Sequence, residues 1–294
     1  MVKGEQLRTA LNRWYHLINT GNGEKAKSLK RKLEAFGNIQ DPDLSCFYRL
    51  LTAWYFLMQH DYDQSSAILN TISPHREKSH WLNYYYYFFR GVNAFYFRNY
   101  NEALQFLQEA KPFLRDKPEI EQAEFYYRIA SVYFRTHHFS LSIKFATKSL
   151  RAFSNKDQSE RMADCENLLG LNYMSLEDYD RSMIHLKTAL NLCRAAKSDN
   201  LLKWVIYQNL GLLYAHKGEY DRARTFYEEV YRCIDTKYEW IQLQNIHELC
   251  ETYFLLNEAD KGKALLAEGL RKANDPSNDY FHRFKVLEAK FAAR

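Results

Sequence analysis

Glycine and proline are scarce, with 10 and 5 among 294 residues. That is about half the usual glycine share and less than half the usual proline share. Sheet-rich folds draw on both residues for their turns, so the scarcity argues against them and for long helices. No apolar run reaches the ~18 residues that a membrane-spanning helix needs. The five cysteines (Cys46, Cys165, Cys193, Cys233 and Cys250) are odd in number, widely spaced and lack a CxxC pair. They read as reduced, semi-buried thiols rather than a disulfide framework. Residues Met1 to Trp14 carry Lys3, Glu5, Arg8 and Arg13 and no apolar stretch of a secretory signal, so the expectation is a cytoplasmic protein. A Walker loop and a GxSxG elbow are both missing, which points away from a self-contained enzyme. The net charge of +5 is too mild to name a partner.

Aromatic residues, by contrast, are abundant at 16%, with 23 Tyr and 19 Phe. Such a chain can bury a large core, and intrinsic disorder is excluded. The aromatics are periodic. We align segments on a small residue, an aromatic three later and a second small residue twelve later. Gly170, Tyr173, Tyr179, Ser182 and Ala189 form one unit, and Gly211, Tyr214, Tyr220, Ala223 and Val230 the next. Ala130, Tyr133, Phe139, Ser142 and Ser149 precede them. Gly91, Phe95, Tyr100, Ala103 and Ala110 come earlier, with the first aromatic displaced by one. Weaker units are anchored at Ala53 and Cys250. The anchors fall at 53, 91, 130, 170, 211 and 250, a period of about 40 that marks a helical repeat of tetratricopeptide type, slightly stretched. Each unit is expected to be a helical hairpin that cannot bury its apolar stripe alone. Neighbours then stack into a right-handed superhelix with a concave inner face.

The fold class expected is therefore all-α, an N-terminal antiparallel helical bundle followed by tetratricopeptide-like repeats. The bundle is placed at 1–75, with a degenerate hairpin at about 44–74, and the repeat domain at 76–294. In the bundle, Leu7, Leu11, Trp14, Tyr15 and Ile18 have helical spacing. Gly21 to Gly23 break that helix, 25–36 form a second, and a third begins at Leu44. About three quarters of the residues should be helical. The run Trp81 to Phe89 is apolar all round and so should be buried on more than one face. A nucleic-acid stacking platform would instead need exposure and interleaved basic residues.

Three motifs mislead. Gly21-Asn-Gly23-Glu-Lys-Ala26 fits a loose dinucleotide fingerprint, but no strand precedes it. His247-Glu248-Leu-Cys-Glu251 begins like a zinc-protease motif, yet Glu251 replaces the second histidine, and no metal is expected there. His137 and His138 read as surface or turn residues. Lys25, Lys27, Lys30, Arg31 and Lys32 make a basic helix. Residues 1–43 hold eight Lys/Arg and five Asp/Glu. This is either a solvated face or a docking surface for an acidic partner, with Lys27, Lys30 and Arg31 as its candidates. No helix-turn-helix pattern is present, so direct nucleic-acid binding is not expected.

Several strings resemble the Rap proteins of Gram-positive bacteria. Leu11-Asn-Arg-Trp14-Tyr15-His-Leu-Ile18 is similar to that family's opening helix. Asp43-Leu44 followed by Phe47-Tyr48-Arg-Leu50-Leu51 is similar to its third. Tyr84 to Gly91 resembles the helix entering the first full repeat, and Ile120 to Tyr133 the next. The resemblance runs from about residue 7 to 285. It implies a cytoplasmic quorum-sensing regulator whose N-terminal bundle and adjoining repeats dock a response regulator. Some members remove the phosphoryl group from a sporulation-phosphorelay regulator; others keep a competence regulator off DNA. A short signalling peptide on the concave repeat face releases the partner.

In phosphatase members a glutamine at the start of the third helix orients water, with magnesium supplied by the phosphorylated partner and no cofactor in the protein itself. An ungapped match puts Pro42 at that position, and Gln40, two residues earlier, is the nearest catalytic candidate; a loop-capping role is its alternative. For the peptide, the resemblance implies inner-helix asparagines, matched by Asn172 and Asn209, with Asn167 a neighbouring candidate. An amide suits the task because it both donates to and accepts from a peptide backbone. The rival to this peptide-responsive regulator is a tetratricopeptide scaffold without peptide control. Oligomeric state is not legible.

Overall fold

The computed structural model describes residues 2–20, 22–35, 37, 39–72, 80–156, 158–195 and 201–292. Among them are fifteen α-helices, one short 3-10 turn and no strand, and 83% of these residues are helical. None of these helices is long and apolar enough to cross a membrane. The chain divides into two compact units, 1–138 and 139–294.

The first unit holds α1 (Val2–Asn19), α2 (Gly23–Glu34), α3 (Pro42–Met58), α4 (Tyr62–Asn70), α5 (His80–Tyr96), α6 (Tyr100–Ala110) and α7 (Glu119–Arg135). Its core is aromatic. Trp14 is fully buried and donates its indole N–H to the Ala26 carbonyl of α2 at 3.1 Å. Trp54 donates to Asn19 Oδ1 at 2.8 Å and stacks on Phe89 with ring centres 4.6 Å apart. The segment Tyr84 to Phe89 is buried at every position, as its all-round apolarity requires. The Gly-Asn-Gly segment separates two helices, α1 and α2, so no strand feeds it; Gly21 itself lies outside the described residues. Helix α2 stops at Glu34, two residues short of the sequence expectation, and Phe36 lies outside the described residues. Helix α3 starts two residues before Leu44 because Asp41 caps it. The Asp41 carboxylate accepts from Asp43 N and Leu44 N, and Pro42 occupies the first turn, where its missing N–H costs nothing.

The second unit holds α8 (Phe139–Ser154), α9 (Ser159–Ser175), α10 (Tyr179–Ala195), α11 (Leu201–His216), α12 (Tyr220–Cys233), α13 (Glu239–Leu255), α14 (Ala259–Lys272) and α15 (Asp279–Phe291). Helices α9 with α10, α11 with α12, and α13 with α14 pair as hairpins, and α11 also packs against α9 and α13.

The repeat register is visible residue by residue. Seven positions after each anchor the backbone turns left-handed: His60, Arg98, His137, Glu177, Gly218 and Asn257 all have φ between 59° and 74°. At each, the N–H of that residue bonds back three residues and the next N–H bonds back five, as in His60 N to Leu57 O and Asp61 N to Phe56 O. This pair of hydrogen bonds closes a helix C-terminus while satisfying its orphan carbonyls. Two residues later the second helix begins, at Tyr62, Tyr100, Phe139, Tyr179, Tyr220 and Ala259. The small residues at anchor plus twelve, from Ser65 to Gly262, are buried in all six units. In three of the units the anchor is a glycine that meets a large residue sixteen later. A Cβ on Gly91, Gly170 or Gly211 would stand 2.9 Å or less from Leu107, Leu186 or Tyr227.

Candidate functional site

The best-defined polar site lies on the first helices of successive hairpins in the second unit. Asn209 of α11 donates its amide to Asn167 Oδ1 of α9 at 2.8 Å. Both residues are buried, each with 8% exposure, and so is the bond between them. Asn209 Oδ1 and the Asn167 amide hydrogens have no hydrogen-bond partner among the described residues. One acceptor and one donor are therefore presented side by side. These positions stand two and three residues before their anchors, Gly211 and Gly170. Gln208 and His247 occupy equivalent positions on α11 and α13.

Asn172 does not share that face. It is fully buried and donates to Ser142 Oγ of α8 at 2.9 Å and to its own helix at Leu168 O, 2.7 Å. Its register explains this. Two residues after the anchor the side chain is buried, as are Leu213 and Thr252. Asn172 thus ties α8 to α9, whereas Asn167 and Asn209 form an amide pair between α9 and α11.

Sequence reasoning passed over two further amides. Gln208 is buried with its Nε2 unpartnered, and Asn245 of α13 is fully buried with neither amide atom paired. Apolar residues stand at Asn245's position in the neighbouring unit, for example Ile206, and that contrast was the available signal.

In the first unit, Gln40 is exposed in the loop before α3, and its side chain makes no hydrogen bond with the described residues. Capping falls to Asp41 instead. On α2, Lys27 and Arg31 are exposed and unpaired among the described residues. Lys30 is drawn inward, ion-paired to Glu34 and lying 5.6 Å from the ring centre of Phe56. His137 and His138 are exposed and lie in the turn that follows α7. None of the five cysteines is in a disulfide. Burial pushes the Cys46 and Cys193 thiols up to about 11 and Cys250 up to about 12, which keeps them protonated and unreactive.

Deeper in this unit, Glu121 of α7 stands beside Tyr85 and Lys117. Burial raises its pKa above the usual carboxylate range, partly offset by Lys117 and by a hydrogen bond with Tyr85. Lys117 lies 4.1 Å from the Tyr85 ring centre, and burial lowers its own ionisation.

A tetratricopeptide-repeat family model matches residues 161–234. The chain is 27% identical to response regulator aspartate phosphatase E of Bacillus subtilis (strain 168), across 99% of this chain and 81% of that protein. A crystal structure of a Rap protein complexed with competence and sporulation factor superposes with a TM-score of 0.86 at 23% identity, covering 97% of this chain and 81% of the other. NprR in complex with its cognate peptide NprX follows at a TM-score of 0.80 and 19% identity, covering 97% and 84%. The homologues of this chain are thus Rap response regulator aspartate phosphatases, as the N-terminal strings implied, and the fold they share is the all-α repeat fold described above.

Proposed function

We propose that the chain is a cytoplasmic, peptide-controlled regulator that holds a bacterial response regulator and releases it when a short signalling peptide occupies the face carrying Asn167 and Asn209. The amide pair carries this reading. Every extended peptide group offers one N–H and one C=O, and the pair offers one acceptor and one donor in return. The relative named as a response regulator aspartate phosphatase supports a response regulator as partner. The neighbours solved with competence and sporulation factor and with the peptide NprX support a small ligand of peptide type. If both ligands bind one chain, their equilibria are linked, and each weakens the other by the same factor.

The partner would meet the basic face of α2. Lys27 and Arg31 are available for an acidic surface, whereas Lys30 contributes only after leaving Glu34. A phosphatase step would fall to Gln40, whose exposed, uncommitted amide could orient water on the phosphoaspartate, using magnesium held by the partner.

The deciding experiment titrates the full chain with short peptides from the host and follows the melting temperature and the release of a bound response regulator. A cognate peptide should raise the melting temperature and displace the regulator. Asn209→Ala leaves peptide groups unpaired, a loss of about 1–3 kcal/mol or roughly ten- to a hundred-fold in affinity, while regulator binding persists. Wild-type peptide affinity in Asn209→Ala would return the chain to the scaffold reading. Phosphate release from a phosphorylated regulator, abolished by Gln40→Ala with binding retained, is the corresponding test of catalysis.

A further inference from the structure

Helix α13 brings three ligating side chains together on one turn. The ligand atoms of His247, Glu248 and Glu251 all lie within 4.8 Å of one another. The three side chains are largely withdrawn from solvent, with 15%, 21% and 28% exposure. His247 Nδ1 is 3.5 Å from Glu248 Oε1, yet it is buried and makes no hydrogen bond. Tyr227 of α12, in the core that α13 helps to build, is completely buried and its hydroxyl has no partner. An imidazole nitrogen therefore ends unpaired beside two carboxylates, an arrangement that is costly in a low-dielectric setting unless a cation completes it. Lys290 of α15 reaches Glu251 at 2.6 Å and is itself 53% exposed.

We propose that His247, Glu248 and Glu251 form a binding site for a single divalent first-row transition ion. One imidazole nitrogen with carboxylate oxygens suits zinc or manganese. Calcium, which takes six to eight oxygens, is poorly served. The missing second histidine argued against a metal on sequence. The geometry differs because Glu251 supplies an oxygen where the protease motif has a nitrogen, and Glu248 turns to the same spot. The ion takes over the role of the Lys290 ammonium at Glu251, and Lys290 is exposed enough to move into solvent. Ion uptake therefore loosens one tie between α13 and α15. The site is independent of the peptide reading.

The full chain is stripped with a chelator and titrated calorimetrically with zinc and with manganese, the latter also followed by electron paramagnetic resonance. One saturable site is expected, with calcium giving no comparable heat. His247→Ala and Glu251→Gln should each weaken it by at least about tenfold. Lys290→Met should tighten it, because the competing charge is gone. Circular dichroism checks each variant's fold. Should His247→Ala fail to fold, Glu251→Gln and Lys290→Met decide, since both side chains reach solvent. Absence of saturable binding in the stripped wild type, or affinity unchanged by Glu251→Gln and Lys290→Met, overturns the site.

Discussion

Asn172 and Asn209 are the same residue type on neighbouring hairpins, and their registers give them different work. Asn172 satisfies Ser142 and Leu168 in the interior. Asn172→Ala is therefore expected to lower stability by about 1–3 kcal/mol through the groups it strands, read as a shift in urea midpoint. Asn245 is the converse case. Its amide is buried with both atoms unpaired, so Asn245→Leu, which keeps the volume and removes the polar atoms, should raise the urea midpoint. Glu121 gives a pH signature. Its folded pKa is raised by burial, so between its ordinary value of 4.5 and the raised one the folded state binds more protons than the unfolded. Stability from this group is thus fully present below pH 4.5 and is lost as pH rises through the folded value. Glu121→Gln should flatten that fall. Denaturant midpoints measured across the acid range would show it, and an unchanged slope would count against the assignment.

At the level of elements, the turns and the close helix contacts are the sensitive points. Five of the six left-handed turn residues are not glycine, and each L-residue there carries a steric cost that glycine avoids. Replacing Glu177 by Gly should therefore stabilise the α9–α10 hairpin by about 0.5–1 kcal/mol after the extra chain entropy of glycine is counted. Gly211→Ala should do the reverse. The new Cβ would stand 2.6 Å from Tyr227 Cε1, and that ring is fully buried with little room to yield. Overpacking of this kind costs about 1–3 kcal/mol, and thermal melts of the pair of variants should move in opposite directions. On α2, reversing Lys27 and Arg31 to Glu should slow association with an acidic partner at low salt and leave the melting temperature nearly unchanged.

For the whole molecule, two compact units each carry their own buried core, and no cross-link supplements them. Four of the five thiols are buried and only Cys233 is exposed. A thiol reagent should therefore titrate one cysteine rapidly in the native protein and all five after denaturation. Reductant should leave the melting temperature where it was. More than one fast thiol under native conditions would show that a unit opens more readily than its packing implies.

Much of the architecture was determined by the sequence alone. Scarce glycine and proline, with a small-and-aromatic pattern recurring about every forty residues, specify helical hairpins. Small residues must recur where helices touch, and a hairpin buries its stripe only against a neighbour. Trp14 and the run from Tyr84 to Phe89 were legible as core for the same reason. The site was legible only in part, because spacing along a chain places a residue on a helix without saying which neighbour that face meets. Asn172 and Asn209 look alike as letters, and packing alone gave one a partner on α8 and paired the other with Asn167 of α9. Lys30 reads as one more basic residue until Glu34 claims it. His247, Glu248 and Glu251 read as a failed zinc motif until the fold brought their ligand atoms within 4.8 Å of one another. Periodicity is a property of one helix and survives in one dimension; partnership belongs to pairs of helices and exists only once they are packed.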